Sequence, residues 1–272
     1  MIAFYGFGGG FGHLNRIRAF IKSQKINGPY LILTNNRAAL NFFSKEIIVS
    51  PPDHILFTKT QMREWISSII VKKNITTFYI DTFPSGILGE LNPELFQGVT
   101  LNLLCRRLKW KAYKNLIEQP LHYTSCFVFE YLENDHYQYL INQVEEVKII
   151  ESLLELININ PLSMNGLCDH VFWIIVHTSH LEEVQVLIDH AKDLAMLERV
   201  NPEIIVLTDQ LIEDDTITLL RDENPRDYYH AANRIFTAAG FNTWYELAPY
   251  RSKHIAIPFP RKFDDQFWRS KQ

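Results

Sequence analysis

Gly6-Phe7-Gly8-Gly9-Gly10-Phe11-Gly12-His13-Leu14-Asn15-Arg16 directly follows the apolar run Ile2-Tyr5 and opens an amphipathic stretch. A short β-rich run, a glycine turn and a helix in that order are the opening unit of a parallel α/β sheet. Glycines without Cβ let backbone amides approach an anion or a sugar, and the following helix start offers unpaired donors and a positive dipole end. The loop is not a dinucleotide fingerprint, because no three glycines fall at the required spacing and the second strand ends in Thr34-Asn35-Asn36 where an acid for the ribose is expected. It is not a P-loop either, since no Gly-Lys-Ser/Thr follows. His13 stands at the helix start, where a neutral imidazole is favoured and can act as a base or hydrogen-bond a ligand; a histidine that merely caps the turn is the plainer alternative.

Outward from this loop the same alternation continues. Strands are expected at Ile2-Tyr5, Tyr30-Thr34, Glu46-Ser50, Thr77-Asp81, Thr100-Leu104 and Ser125-Phe129, with helices near His13-Lys25, Thr58-Lys73 and Lys109-Ile117. Periodicity fails around Asn158 to Gly166, where turn formers gather, so a linker is expected there and two domains at 1–163 and 164–272. The second domain reads as strand His170-His177, helix His180-Leu197, strands Glu203-Thr208 and Thr216-Leu220, helix Pro225-Ala232, strand Arg234-Ala238, helix Asn242-Pro249 and strand His254-Pro258. The expected fold is therefore α/β, two Rossmann-like doubly wound domains whose strand ends face one cleft.

Composition bounds the function. With 272 residues, 47% hydrophobic and 21% charged, the chain is long enough for two buried cores. A formal charge of -4 argues against a nucleic-acid partner. No apolar run approaches the ~20 residues that span a bilayer, and the start has no signal-peptide pattern, so a cytoplasmic protein without an integral membrane segment is expected, peripheral association being left open. Three widely spaced cysteines, Cys105, Cys126 and Cys168, imply neither disulfides nor zinc and read as reduced core residues.

A second cluster lies near the end. Ala239-Gly240 closes a strand and Asn242-Thr243 launches a helix, so small residues and free amides again gather at a strand end, and Glu246 one turn on can accept ribose hydroxyl bonds. Pro258-Phe259-Pro260 and Asp264-Asp265-Gln266 follow. Asp81, at the end of the fourth strand, could orient His13, act as a base, or simply cap. Glu90 reads more readily as a capping acid at a helix start, and Arg106-Arg107 more readily as solvated arginines than as an anion site. His177 and His180 with His170 suggest a metal only weakly, because His170 to His177 is expected to be a strand and no nearby carboxylate or cysteine completes a site.

These two clusters, in order, resemble the MurG-like glycosyltransferases: a glycine loop ending in Gly-His matches Gly8 to His13, and a Gly-x-x-Thr-x-x-Glu-Leu segment matches Gly240, Thr243, Glu246 and Leu247. The proline-rich strand end and Asp/Gln pair match Pro258 to Gln266, and Asp81 to Leu91 is similar to an Asp-x-Phe-Pro-x-Gly-x-x-Gly-Glu-Leu pattern of predicted bacterial glycosyltransferases. The resemblance implies a GT-B fold and inverting transfer from a UDP-sugar, UDP-GlcNAc-like, to an unidentified acceptor, without cofactor or obligatory metal. It implies an acceptor domain at 1–163 with His13 at the reaction centre, beside which Asp81 is the strand-end candidate named above, and with Gly9, Gly10 and Gly12 against the ligand. In the nucleotide domain at 164–272 it puts Gly240, Asn242 and Thr243 near the diphosphate, Glu246 on the ribose, and Asp265 and Gln266 near the donor sugar. His177-Thr178-Ser179-His180 replaces the family's Gly-Ser turn, and the chain ends at Gln272 where the fold usually adds a returning helix. Gly10-Phe11-Gly12-His13 is also similar to the loop of the UDP-sugar hydrolase of pseudaminic acid synthesis, which leaves hydrolysis, or a non-catalytic sugar-nucleotide-binding subunit, as alternatives.

Overall fold

The computed structural model describes residues 1–9, 11–151, 171–178, 180–221 and 224–272. The linker expected at 158–166, Cys168, His170, Ser179 and Gly10 lie outside them. The chain forms two compact units, Met1–Leu156 with Lys262–Asp264, and Ile157–Arg261 with Asp265–Gln272.

In the first unit β1 (Ile2–Tyr5), β2 (Tyr30–Leu33), β3 (Ile48–Val49), β4 (Thr77–Asp81), β5 (Thr100–Cys105), β6 (Tyr123–Val128) and β7 (Val144–Ile149) form a seven-stranded sheet in the order β3-β2-β1-β4-β5-β6-β7. Every pairing is parallel. The crossovers include α1 (Gly12–Ser23), α2 (Lys59–Lys72), the short α3 (Trp110–Tyr113) and α4 (Asn134–Ile141). Parallel strands covered on both faces must be apolar at successive positions. Ala3 and Tyr5 therefore pack with Phe78, Ile80, Leu103 and the α2 residues Met62, Trp65 and Ile66. On the opposite face Phe4 stacks on Tyr79 at 4.8 Å, and Phe20 of α1 meets Phe127 edge-on at 4.7 Å. Thr58 caps α2 by accepting from the amide of Gln61.

The second unit holds β8 (Phe172–Val176), α5 (Leu181–Glu198), β9 (Glu203–Leu207), β10 (Thr218–Leu220), α6 (Arg226–Tyr229), β11 (Arg234–Ala238), α7 (Phe241–Glu246), β12 (His254–Ile257) and α8 (Gln266–Arg269). Its five-stranded sheet runs β10-β9-β8-β11-β12, again all parallel. Trp173, Ile175 and Phe236 pack against Val184, Leu187 and Ile188 of α5, while Phe172, Ile174 and Ile235 cover Tyr229 and Leu247 on the other face.

Several expectations shift. The helix expected over Asn242-Pro249 ends at Glu246 and is followed by a 3-10 turn, Ala248–Lys253. Pro249 cannot donate its backbone nitrogen and disfavours helical geometry at the residue before it. The stretch expected to be a helix to Ile117 breaks after Tyr113 into a 3-10 turn, Lys114–Leu116. The strand expected over Glu46-Ser50 contracts to two residues.

Candidate functional site

Each sheet reverses its strand order once, at β1/β4 in the first unit and at β8/β11 in the second. An open α/β sheet opens a crevice outside the carboxyl ends of the strands at such a point. The glycine loop and Asp81 lie at the first, and the His177 loop and Gly240 at the second.

Beyond β1 the chain keeps one more sheet bond, from the Gly6 amide to the Leu33 carbonyl at 2.9 Å, and then leaves the sheet. Gly8 has φ +156°, and a Cβ there would fall within 3.0 Å of Nε2 and Cδ2 of His13, so a side chain is excluded twice over. Gly9 has open space around it, so the fold itself does not require glycine there. The expected result is that Gly8→Ala costs about 1–3 kcal/mol and displaces the His13 ring, whereas Gly9→Ala stays within about 0.5 kcal/mol of the parent. Urea denaturation checks both, and equal effects would contradict this account.

α1 begins at Gly12 without a side-chain cap. His13 and Arg16, three residues apart, lie on one face with the buried Ile17 and Phe20. Asp81, at the end of β4, receives both. His13 Nδ1 is 2.5 Å from Asp81 Oδ2, and Arg16 donates from Nε to Oδ1 at 2.7 Å and from its terminal nitrogen to Oδ2 at 2.5 Å. The same nitrogen donates to Thr82 Oγ1 at 2.7 Å. His13, Arg16 and Asp81 are 7%, 2% and 1% exposed. A carboxylate can only accept, so His13 donates from Nδ1 and leaves Nε2 as a proton acceptor. Burial holds the imidazole below the ordinary histidine range; Asp81 opposes this, and Arg16 and Arg106 add to it. Burial alone would raise the Asp81 carboxyl, but Arg16 and His13 outweigh it and bring it down to about 2.

The segment after Asp81 is scaffolding for that turn. The Tyr113 hydroxyl accepts from the Ser85 amide and donates to the Gly86 carbonyl, each at 2.8 Å, and the Tyr123 hydroxyl donates to the Pro84 carbonyl. Gly86 and Gly89 have φ of +83° and +75°, which a side chain would strain. Glu90 departs from expectation. It does not start a helix; it is fully buried, accepting from the Tyr5 hydroxyl and, at 2.8 Å, from the Leu88 amide. Burial raises its carboxyl above the ordinary range.

Arg106 and Arg107 are not solvated arginines. They are 8% and 9% exposed, Arg106 paired with Asp264, and the Arg107 amide donating to Glu130 Oε1 at 2.9 Å. Cys105 and Cys126 are free buried thiols.

In the second unit His177 does have a carboxylate beside it, contrary to expectation. The first turn of α5 brings Glu183 Oε2 to 2.7 Å from its Nε2, and Arg261 grips the same carboxylate from two nitrogens at 2.5 Å each. Among the described residues no group of three or more His, Cys, Asp or Glu could hold a metal ion. Gly240 precedes α7 with ordinary extended geometry and open space around it. Asn242 and Thr243 occupy the first turn of α7, and Glu246 ends it, paired with Arg226 of α6 at 2.5 Å. Asp265 caps α8 by accepting from the Trp268 amide at 3.3 Å. Gln266 is buried, and its Oε1 accepts from the Phe259 amide at 3.0 Å, so it organises the turn after β12. The fully buried Arg269 donates to the Ala239 carbonyl at 2.8 Å and thereby fixes the Gly240 turn. Arg16, Arg226 and Arg269 were not singled out from the sequence. The one local signal was Arg16 standing on the apolar stripe of α1.

Two Rossmann-like units, each with a glycine turn at its switch point, make this an α/β protein of GT-B fold. No family model matches the sequence, and no curated protein is similar to it. Solved structures are. The chain resembles UDP-GlcNAc 2-epimerase from Neisseria meningitidis bound to UDP-GlcNAc over 96% of its own length and 84% of that chain, with a TM-score of 0.64 and 10% identity. It resembles UDP-GlcNAc 2-epimerase from Methanocaldococcus jannaschii in complex with UDP-GlcNAc and UDP over 100% and 91%, with a TM-score of 0.57 and 12% identity. Phytolacca americana UGT2 complexed with UDP-2fluoro-glucose and pterostilbene is similar over 99% and 82%, with a TM-score of 0.56 and 12% identity. At such identities the likeness defines the fold.

Proposed function

We propose that the chain is a MurG-like glycosyltransferase that moves a hexose from a UDP-sugar, UDP-GlcNAc-like, to an acceptor hydroxyl with inversion. The observation that carries this reading is the buried His13 Nδ1 to Asp81 contact of 2.5 Å at the switch point of the first sheet, which leaves Nε2 as the base. The ligands bound in the structural neighbours, UDP-GlcNAc, UDP and UDP-2fluoro-glucose, support the donor class. The acceptor oxygen attacks the anomeric carbon as its proton passes to His13 Nε2, and the bond from that carbon to the diphosphate oxygen breaks, releasing UDP. Asp81 orients the imidazole and stabilises its cation rather than taking the proton, because Arg16 keeps it anionic.

In this reading residues 1–163 take the acceptor and 164–272 the nucleotide sugar. Gly9, Gly10 and Gly12 give backbone approach to the ligand; Gly240, Asn242 and Thr243 lie against the diphosphate, whose charge fixed amides offset. Glu246, aligned by Arg226, accepts from the ribose, and Asp265 and Gln266 lie near the donor sugar, Gln266 through the turn it organises.

Thermal shifts with UDP, GDP, dTDP, CMP and their sugars identify the nucleotide, since a ligand at 100 times its Kd stabilises by about 2.7 kcal/mol. Glu246→Ala is expected to weaken UDP binding by roughly 10- to 100-fold, the worth of a hydrogen bond to a charged group. Equal UDP affinity in variant and parent would sink the nucleotide assignment. A second reading follows from the 2-epimerases among the neighbours. Incubation with UDP-GlcNAc alone separates the reactions: epimerisation returns a sugar still joined to UDP, hydrolysis frees UDP and sugar, and transfer waits for an acceptor. A non-catalytic subunit binds and does none of these.

A further inference from the structure

The His13–Asp81 pair does not hold itself in place. Asp81 is followed by Thr82 at φ +70°, a left-handed conformation that a β-branched residue adopts only when its surroundings impose it. Two interactions impose it here: the Thr82 amide donates to the Leu104 carbonyl at 2.8 Å, and Arg16 donates to Thr82 Oγ1 at 2.7 Å. The same guanidinium spans both oxygens of Asp81 at 2.7 and 2.5 Å. We propose that Arg16 is the positioning residue of the site, its fork clamping Asp81 and Thr82 together so that the carboxylate meets Nδ1 of His13 and Nε2 is left to accept a proton.

The inference rests on His13 being the base of the proposed reaction, but its geometry does not depend on which sugar is moved. A guanidinium suits this task and an ammonium does not, because only the planar fork reaches two carboxylate oxygens and a hydroxyl from one side chain. The charged groups that face the imidazole are Arg16 on its own helix, Asp81 at the end of β4, and Arg106 after β5, with the Phe83 ring 5.7 Å away. Arg16 and Arg106 both lower the imidazole, so removing Arg16 leaves the attraction of Asp81 less opposed and moves its titration upward. Asp81 moves upward as well, because Arg16 depresses it.

The test is histidine 15N spectroscopy of the full chain across neutral pH, with the His13 signals assigned by their loss in His13→Gln. In the parent, neutral His13 is expected to carry its proton on Nδ1. In Arg16→Gln the titration midpoint moves to higher pH, the acid limb of the kcat/KM profile moves with it, and the single tautomer is lost. Arg16→Lys returns the midpoint towards that of the parent, yet kcat stays roughly 100-fold low, the cost of a misplaced catalytic group, while KM for the donor is unchanged. A parent His13 protonated on Nε2, or an Arg16→Gln protein with the parent's tautomer and midpoint, overturns the inference. If Arg16→Gln does not fold, the parent tautomer and Arg16→Lys decide. Spectral changes as expected, in a protein that turns over no UDP-sugar, would retain the clamp and remove the proposed reaction.

Discussion

His13→Ala is expected to abolish measurable transfer while UDP binds as it does to the parent. A positioned general base contributes about 10²- to 10⁴-fold, and removal of the imidazole leaves only the binding of donor and acceptor to assist the reaction. The variant should fold, because Asp81 keeps both bonds from Arg16 when His13 is gone. Initial rates with the donor found by thermal shift, together with calorimetric titration of UDP, test the two halves separately. Transfer within tenfold of the parent would remove His13 from the reaction centre. A parallel loss of UDP affinity would mean that the histidine serves the nucleotide instead.

Asp81→Ala should produce the largest loss of stability. It strips the buried Arg16 guanidinium, 2% exposed, of its carboxylate, and breaking a buried ion pair from one side typically costs about 3–5 kcal/mol. Asp81→Asn keeps the shape and an acceptor for Arg16, so it should lose less stability but invert the preference at Nδ1 and lose turnover. The pH dependence has a definite sign. Asp81 titrates near 2 when folded and near 3.9 when unfolded, so its contribution is present above about pH 4 and is lost as pH falls through about 2. His13, lowered by burial, works in the same direction: the unfolded chain takes up its proton first as pH falls below about 6.5. Urea midpoints measured from neutral to acid pH should fall throughout for the parent and less steeply for Asp81→Asn. A parent curve flat down to about pH 3 would contradict the network.

The strands at the switch points were the most legible part of the chain. Ile2–Tyr5, Thr77–Asp81 and Arg234–Ala238 are short, mostly apolar runs that close on Gly6, on Asp81 and on Ala239-Gly240, and the structure has these same bounds. β7 was not anticipated. Val144-Glu145-Glu146-Val147-Lys148-Ile149 is an edge strand defended by charge, so the apolar pattern that identifies a central strand is missing. His13 and Asp81 could be read as candidates because a loop and a strand end advertise them, and the structure joins them. The arginines that set their surroundings could not. Arg16 meets Asp81 across 65 residues, Arg269 meets Ala239 across 30, and an arginine on a helix looks the same in sequence whether it is solvated or clamped. Glu90, Arg106 and Arg107 failed for the same reason: their burial depends on elements far along the chain.

The residues Lys262–Asp264, which belong to the first unit although their neighbours in sequence belong to the second, decide how this protein can be taken apart. Phe263 fills an apolar box with Phe83, Leu108, Trp110 and Tyr113, its carbonyl accepts from the Lys109 amide at 2.8 Å, and Asp264 holds Arg106. A fragment ending near residue 156 would therefore carry an unfilled box and a buried arginine stripped of its carboxylate. The amino-terminal unit is not a module that can be excised, shuffled or fused as a contiguous piece. Its natural cut runs through three-dimensional space and crosses the chain more than once.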